Sequence, residues 1–273
     1  VVPMVPAQDF KRVHDGDRGP NTGGMGSYAP LPDLRVAEID ELCERAVLPV
    51  VHELRRRGID YRGVLFAGLM LTADGPRVLE YNVRFGDPEA QVVLPLVRED
   101  LVEVLLAVAE GRLARAVPGG RLLPAREAAV CVVMAAGGYP GSGASSDPLL
   151  LGSEIVGLGS DGQLSDPVSG VTVVHAGTRS DDAAGGRYVV GGGRVLGITA
   201  TASTLEGARE RAYAGVARVT WPGAHWRSDI AARAGEGAGP SGGSPPHDAP
   251  ATSPTPSGAQ SPAQSPAQCE VVS

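Results

Sequence analysis

The stretch from Arg77 to Gln91 constrains the fold of this chain more than any other. Within its first eight residues, Arg77-Val78-Leu79-Glu80-Tyr81-Asn82-Val83-Arg84, the six from Leu79 to Arg84 alternate between apolar and polar. In a β-strand successive side chains point to opposite faces, so Leu79, Tyr81 and Val83 share one face and Glu80, Asn82 and Arg84 share the other. A carboxylate, an amide oxygen and a guanidinium spaced two residues apart make a poor core. They make a good clamp for a hard cation and the phosphate it carries, with Glu80 and Asn82 on Mg²⁺ and Arg84 on phosphate oxygens. The same alternation also suits a half-buried amphipathic strand with a solvated polar face, and alternation alone does not decide. Upstream, Tyr61 to Ala73 reads as the partner strand and Asp74-Gly75 as a tight turn, which predicts that an antiparallel hairpin holds the polar row rigidly.

After the strand, Arg84-Phe85-Gly86-Asp87-Pro88-Glu89-Ala90-Gln91 contains a Gly-Asp-Pro turn that sets further charged groups just past the strand end. Five other runs accompany it: Gln8-Asp9-Phe10-Lys11-Arg12, Gly19-Pro20-Asn21-Thr22-Gly23-Gly24-Met25-Gly26, Phe66-Ala67-Gly68-Leu69-Met70, Val133-Met134-Ala135-Ala136-Gly137-Gly138-Tyr139-Pro140-Gly141 and His175-Ala176-Gly177-Thr178. In order and approximate spacing this set resembles the phosphoribosylamine-glycine ligase family, also called glycinamide ribonucleotide synthetases, which are ATP-grasp enzymes of purine biosynthesis. The resemblance implies ATP-dependent joining of glycine to 5-phosphoribosylamine through glycyl phosphate, giving glycinamide ribonucleotide, ADP and phosphate, with Mg²⁺ or Mn²⁺ as the metal. It also implies that Glu80 and Asn82 hold the metal and that Arg84 and Asp87 serve the chemistry. Lys11, Arg12, Asn21, Thr22, Gly23, Gly24, Asp87 and Glu89 would then line the substrate side. Asp87 is placed to engage an ammonium group, of glycine or of the incoming amine.

One departure bears on this. Ligases of this kind begin with an N-terminal domain and a nucleotide-clamping subdomain, for which this sequence has no counterpart. The chain therefore reads as the second half of the enzyme, expected to be inactive alone and to need the upstream half as a partner. The alternatives are another ATP-grasp carboxylate-amine ligase, and a truncated non-catalytic chain that binds Mg²⁺ or a phosphosugar as a binding or assembly piece.

Composition narrows the field. A net charge of -7 argues against general nucleic-acid binding, which needs a basic footprint. No apolar run approaches the roughly 20 residues of a membrane span, and no signal peptide or anchor is visible, so a cytoplasmic setting is expected. Cys43, Cys131 and Cys269 lack metal-ligand spacing. Of 24 Lys plus Arg, only Lys11 is a lysine, which makes each arginine weakly informative and this lysine more so. Between Asp15 and Pro30 the glycines are too dense for a helix or strand. They allow backbone N-H groups to approach an anion closely, yet the loop has neither a P-loop ending nor a dinucleotide fingerprint.

The rest of the chain predicts a helix from Val36 to Arg57 that Pro49 kinks or splits, and a helix from Pro88 to Glu110. Short strands are expected at Ala128 to Ala135, Glu154 to Gly157, Val171 to His175 and Tyr188 to Ala202, with Gly191-Gly192-Gly193 as a hairpin turn. A helix from Thr204 to Val219 is expected to start at a capping box with Glu206. His175, ending a strand, reads as structural. From Gly235 the composition collapses into Gly, Pro, Ser, Ala, Gln and Thr, too little apolar surface to offset about 1 to 2 kcal/mol per residue of ordering entropy. The fold class is therefore α+β: the C-terminal part of an ATP-grasp domain over 1–117, a small C-terminal α+β domain over 118–234, and a disordered tail over 235–273 whose removal costs little stability.

Overall fold

The computed structural model describes residues 1–122, 127–141, 150–181 and 186–234, together with the backbone of 266–272. Five short strands open the chain: β1 (Val2–Pro3), β2 (Ala7–Asp9), β3 (Arg12–His14), β4 (Arg18–Asn21) and β5 (Gly26–Ala29). A helical layer follows, with α1 (Val36–Leu42), a π-turn over Cys43–Val47 and α2 (Leu48–Arg56). Pro49 has no N-H to offer the carbonyl four residues back and its ring crowds that carbonyl, so the ladder widens just before it.

The hairpin forms as β6 (Val64–Thr72) and β7 (Gly75–Asn82), leaving Arg84 beyond the strand end. Its register pairs Phe66 with Asn82 and Gly68 with Glu80, then shifts so that Leu69 meets Val78. Leu79 is thus an extra residue, a bulge of the kind that bends an edge strand. Strand β7 is the sheet edge, and the apolar face expected to be buried is open: Leu79 is 56% exposed and Val83 74%. Tyr81 is steadied by donating its hydroxyl to Ala46 O at 2.5 Å.

The single helix expected from Pro88 to Glu110 is broken in two. Helix α3 (Ala90–Val93) tightens into a 3₁₀ turn at Leu94–Leu96, Val97 is extended, and α4 (Leu101–Ala109) starts afresh. Pro95 cannot continue the α ladder, and Asp100 caps α4 by accepting from Val102 N at 2.9 Å and Glu103 N at 3.3 Å. A short α5 (Leu113–Ala116) follows.

Strand β8 (Ala128–Ala135) is buried along its whole length and lies at the centre of the second half. It pairs with β5 on one side and with β12 (Arg194–Ala202) on the other; β12 in turn pairs with β9 (Val171–His175). The sheet therefore runs without interruption from the first half into the second. Helix α6 (Leu205–Val216) covers one face of β8 and β12, burying Ala208, Ala212 and Val216 against Val132, Ile198 and Ala200. Helix α3 lies against β8, β5 and β12, with Val92, Val93 and Leu96 in the second core alongside Ala129, Cys131 and Val133.

Three expectations for this half need correction. Glu154 to Gly157 forms no strand, only single bridges from Glu154 to Val189 and Val156 to Thr220. Gly191 to Gly193 does not close a hairpin, because β11 (Arg187–Val190) pairs with β10 (Thr178–Asp181) while β12 joins the large sheet. Thr204 does cap α6, accepting from Gly207 N at 3.1 Å, but Gly207 holds the position that a capping-box acid would need.

The tail also departs from expectation. Pro266–Val272 forms β13, which pairs antiparallel with β6 from Pro266–Met70 to Val272–Val64. Its other edge pairs with β2 and β1, completing a nine-stranded sheet in the order β7-β6-β13-β2-β5-β8-β12-β9, with β1 on β13. The low-complexity composition extends only to Gln268; beyond it Val271 and Val272 are strand-favouring residues, and the open edges of β6 and β2 supply backbone partners. Residues 235–265 lie outside the described residues.

Candidate functional site

The glycine-rich loop, the turn after β7 and the second half of the chain meet at Gly23 and Asp87. Thr22 donates its hydroxyl to Lys11 O at 2.8 Å and accepts from Gly24 N at 2.9 Å, so the loop is tied to the link between β2 and β3 that carries the lysine. Gly23 N donates to the Tyr139 hydroxyl at 3.0 Å. Gly24 has φ 115° and faces the Pro88 ring, where any Cβ would collide; Ser27 donates to Pro88 O at 2.7 Å. This position admits only glycine on both counts.

Arg194, the first residue of β12, locks the arrangement. Its Nη1 donates to Gly23 O and to Asp87 O, each at 2.9 Å, and to Asp87 Oδ1 at 3.2 Å; its Nη2 donates to Asp87 Oδ2 at 3.0 Å. Gln91 Nε2 also donates to Asp87 Oδ1 at 3.0 Å. A substrate ammonium at Asp87 would therefore share a carboxylate that Arg194 already orients. The start of β12 and the turn before it are pressed against Gly177, where a Cβ would strike Gly192 O and Arg194 O.

A buried acid cluster surrounds the chain's lysine. Lys11 Nζ lies 2.6 Å from Asp9 Oδ2 and 4.0 Å from Glu89 Oε1, and both acids are 1% exposed. Burial holds the Asp9 carboxyl above its ordinary value, and neighbouring Lys11 only partly offsets that. For Lys11 burial is the largest influence and would lower its pKa, but Asp9, Glu89 and Glu80 together outweigh it and raise it. The ammonium stays charged and is the focus of three carboxyl groups. Arg12, by contrast, points to solvent and donates locally to Gly19 O at 2.7 Å, and Asn21 is exposed at the end of β4.

Glu80 and Asn82 share one face of β7, opposite Gly68 and Phe66, and neither makes a side-chain hydrogen bond or ion pair with the described residues. Glu80 is exposed and Asn82 half-buried. Among the described residues no cluster of three or more His, Cys, Asp or Glu side chains could hold a metal. Two oxygen donors with open valences, and room for water or phosphate oxygens, fit Mg²⁺ or Mn²⁺, hard cations that keep much of their shell outside the protein. Arg84 is exposed past the strand, with Nη1 on Phe85 O at 2.8 Å.

His175 is engaged at both ring nitrogens, Nδ1 with Thr178 Oγ1 at 3.0 Å and Nε2 with Gly162 O at 2.9 Å, and it packs on Tyr188. Its role is structural, as the sequence suggested. Two arginines were not singled out by the sequence: Arg194, and Arg227, which is 1% exposed, pairs with Asp17 and Asp229 at 2.7 Å, donates to Arg12 O and lies over the Phe10 ring. Arg227 anchors the β3–β4 hairpin to the second half. A largely apolar cavity of about 640 Å³ between α3 and β9–β12 touches the site at Gly86, Asp87 and Gln91; Glu80, Asn82, Arg84 and Lys11 lie outside it.

This architecture, a twisted antiparallel sheet carrying a polar strand row beside a glycine-rich loop, defines an ATP-grasp protein. The same fold is seen in the biotin carboxylase domain of a thermophilic 2-oxoglutarate carboxylase, with a TM-score of 0.51 at 14% identity over 81% of this chain and 47% of that one. Two family models place the chain more closely: the ATP-grasp (A) domain of phosphoribosylglycinamide synthetase matches residues 1–90, and the C domain of the same enzyme matches residues 129–233. The chain belongs to the phosphoribosylglycinamide synthetase family. It is 47% identical over 234 residues to a phosphoribosylamine-glycine ligase of Streptomyces coelicolor, covering 86% of this chain and 53% of that protein. Against the ligase of Caldanaerobacter subterraneus identity is 44%, over 85% of this chain and 51% of that protein. The crystal structure of the Thermotoga maritima ligase superposes with a TM-score of 0.65 at 37% identity, over 84% of this chain and 52% of that one. The chain thus spans about half the length of these relatives. Among the described residues no helix is long and apolar enough to cross a membrane.

Proposed function

We propose that this chain, joined to the remaining half of the family length in one chain or two, ligates glycine to 5-phosphoribosylamine at the expense of ATP. The observation that carries the reading is the convergence of Lys11, Thr22, Gly23, Asp87, Tyr139 and Arg194, drawn from five separate stretches, onto one loop-and-turn junction beside the Glu80-Asn82-Arg84 row. The unit from 1 to 117 carries the row and the loop, and the unit from 118 to 234 supplies Tyr139 and Arg194.

In this reading a glycine carboxylate oxygen attacks the γ-phosphorus of ATP and ADP leaves, giving glycyl phosphate. The phosphoribosylamine nitrogen then attacks the glycyl carbonyl, phosphate departs, and the nitrogen loses a proton. Arg84 offers a planar fork to the oxygens of the phosphoryl group in transit. Glu80 and Asn82 would hold Mg²⁺ or Mn²⁺, which would neutralise phosphate charge when bound. Asp87, oriented by Arg194 and Gln91, attracts an ammonium group on the substrate side. Lys11, with Asp9 and Glu89 behind it, keeps a fixed positive charge facing the same space; Arg12, Asn21 and the Thr22–Gly24 backbone form the open rim where the amine substrate enters.

Oxygen-18 in the glycine carboxylate tests the route. One labelled oxygen should appear in the released phosphate, since the carboxylate oxygen that attacks phosphorus leaves with it. Phosphate free of label would exclude glycyl phosphate and the assignment with it.

A further inference from the structure

Lys11 carries the only side-chain amine in the sequence, since every other member of its 24 Lys plus Arg is arginine. It stands on the link between β2 and β3 with its side chain 31% exposed, held by two acids from separate elements: Asp9, the last residue of β2, and Glu89, at the entrance to α3. Both acids are sealed from water, and Gly24 closes over Asp9, where a Cβ would stand 3.3 Å from Oδ2. A surface pair would serve the fold at a smaller desolvation penalty. What two buried carboxyl groups do here is chemical, because lysine, unlike arginine, becomes a nucleophile once desolvation removes its proton. The charged groups that face Nζ are Asp9, Glu89 and Glu80. Burial alone would lower the Lys11 pKa; attraction to Asp9, then to Glu89 and Glu80, reverses that and holds it above the ordinary value. With a cation on Glu80 the charge of that acid is taken up, which leaves Asp9 and Glu89 to keep the proton in place.

We propose that Asp9 and Glu89 form a clamp that withholds Lys11 from acylation by the acyl phosphate made beside it. This rests on the functional reading above, which puts glycyl phosphate in the space that Lys11 faces. In the reaction withheld, the Lys11 amine lone pair attacks the glycyl carbonyl carbon and an N-C bond forms. The C-O bond to phosphate breaks, phosphate leaves with that electron pair, and the nitrogen passes a proton to water. Phosphoribosylamine performs the same substitution, so a free amine at Lys11 would compete with it directly. Each such event would consume one ATP and cap the lysine as an amide. An ammonium has no lone pair to offer, and the 2.6 Å contact with Asp9 Oδ2 keeps Nζ in that form while its positive charge still faces the substrate space.

The first test needs only the full chain, with acetyl phosphate as the acyl donor and free Nα-acetyl-lysine in the same tube as the reference amine. Acetylation of Lys11, read by mass spectrometry over a range of alkaline pH, should rise with a midpoint above that of the reference. Asp9→Asn and Glu89→Gln should each lower that midpoint and speed acetylation at mildly alkaline pH by about tenfold or more, with slow hydrogen exchange in β8 and α6 as proof of folding. A native midpoint at or below the reference would overturn the clamp, and so would folded variants no more reactive than the native chain. The second test uses the chain assembled with the remaining half of the family length and supplied with ATP and glycine but no phosphoribosylamine. Native Lys11 should stay unmodified. Asp9→Asn should gain a glycyl amide on Lys11 with a matching burst of phosphate, and both should vanish when Lys11→Arg is added. A glycyl amide on native Lys11, or none on Asp9→Asn in an assembly that still ligates, would overturn the protective role. An assembly whose native form does not ligate would count against the functional reading, while the acetyl phosphate test still decides the clamp.

Discussion

Asp9 shows how a single side chain can be costly to the fold and useful to the site. Burial raises its pKa above the ordinary 3.8, so the folded state holds the proton more tightly than the unfolded one. The linked stability is full below 3.8 and is lost as pH rises through the folded value. Urea denaturation across that range should show the stability of the native chain relative to Asp9→Asn falling with pH; a rising difference would place the folded pKa below 3.8. The same substitution should free Lys11, the sole lysine, to react faster with an amine-directed acylating reagent at mildly alkaline pH, read by mass spectrometry at that residue. Arg227 is the opposite case, a buried cation with partners on two segments. Because Asp17 is half open to solvent, Arg227→Met should cost about 2 kcal/mol rather than the full penalty of a sealed pair, measured by thermal or urea unfolding. Neither Arg227 nor Arg194 stood out in a sequence whose cations are almost all arginine. Their contacts reach 210 and 171 residues along the chain, beyond any local pattern. The shared face of Glu80 and Asn82 was legible because a period of two needs only neighbours, whereas Arg84 falls beyond the strand end.

Secondary elements were readable where their signals are local and went wrong where a distant strand competes. Ala128–Ala135 forms from a continuous apolar run and Val171–His175 from a mostly β-branched one, and the β6–β7 hairpin closes one residue earlier than expected, at Ala73-Asp74, with Thr72 paired to Gly75. The run after Pro88 was read as one helix because its apolar spacing continues, although Pro95 and the Asp100 cap already marked the break. Asp100→Ala should cost about 1 kcal/mol, with the loss of protection confined to the first turn of α4 in hydrogen exchange. Tyr188 to Ala202 looked like a hairpin because glycines separate two strands. What decides otherwise is that β12 is paired along eight residues of β8 and five of β9, leaving no edge for β11. Gly24→Ala sits where an element meets the site. Its positive φ and the Pro88 ring both oppose a methyl group, so the loop should shift; a stability loss of about 1 to 3 kcal/mol is expected, with altered nuclear resonance signals at Tyr139 and Arg194.

At the scale of the whole molecule, two sequence-distant halves share one sheet through β5 and β8, and the junction between them carries the loop, the turn and Arg194. The resemblance to phosphoribosylamine-glycine ligases was visible in six short runs, and the structure brings the charged and glycine-bearing ones together while assigning His175 to packing. The strand made by the tail was not visible, because composition reports what a segment can bury and not which sheet edge stands open for it. The central claim concerns the assembly of this chain with the remaining half of the family length. The measurement is phosphate release in that assembly, with glycine and phosphoribosylamine supplied separately and together. Release is predicted only when both are present, to be abolished by Glu80→Ala, and to fall about 10²-fold or more in Arg84→Lys, where a point charge replaces a planar fork. Full turnover in Glu80→Ala, or release that ignores either substrate, would contradict the account.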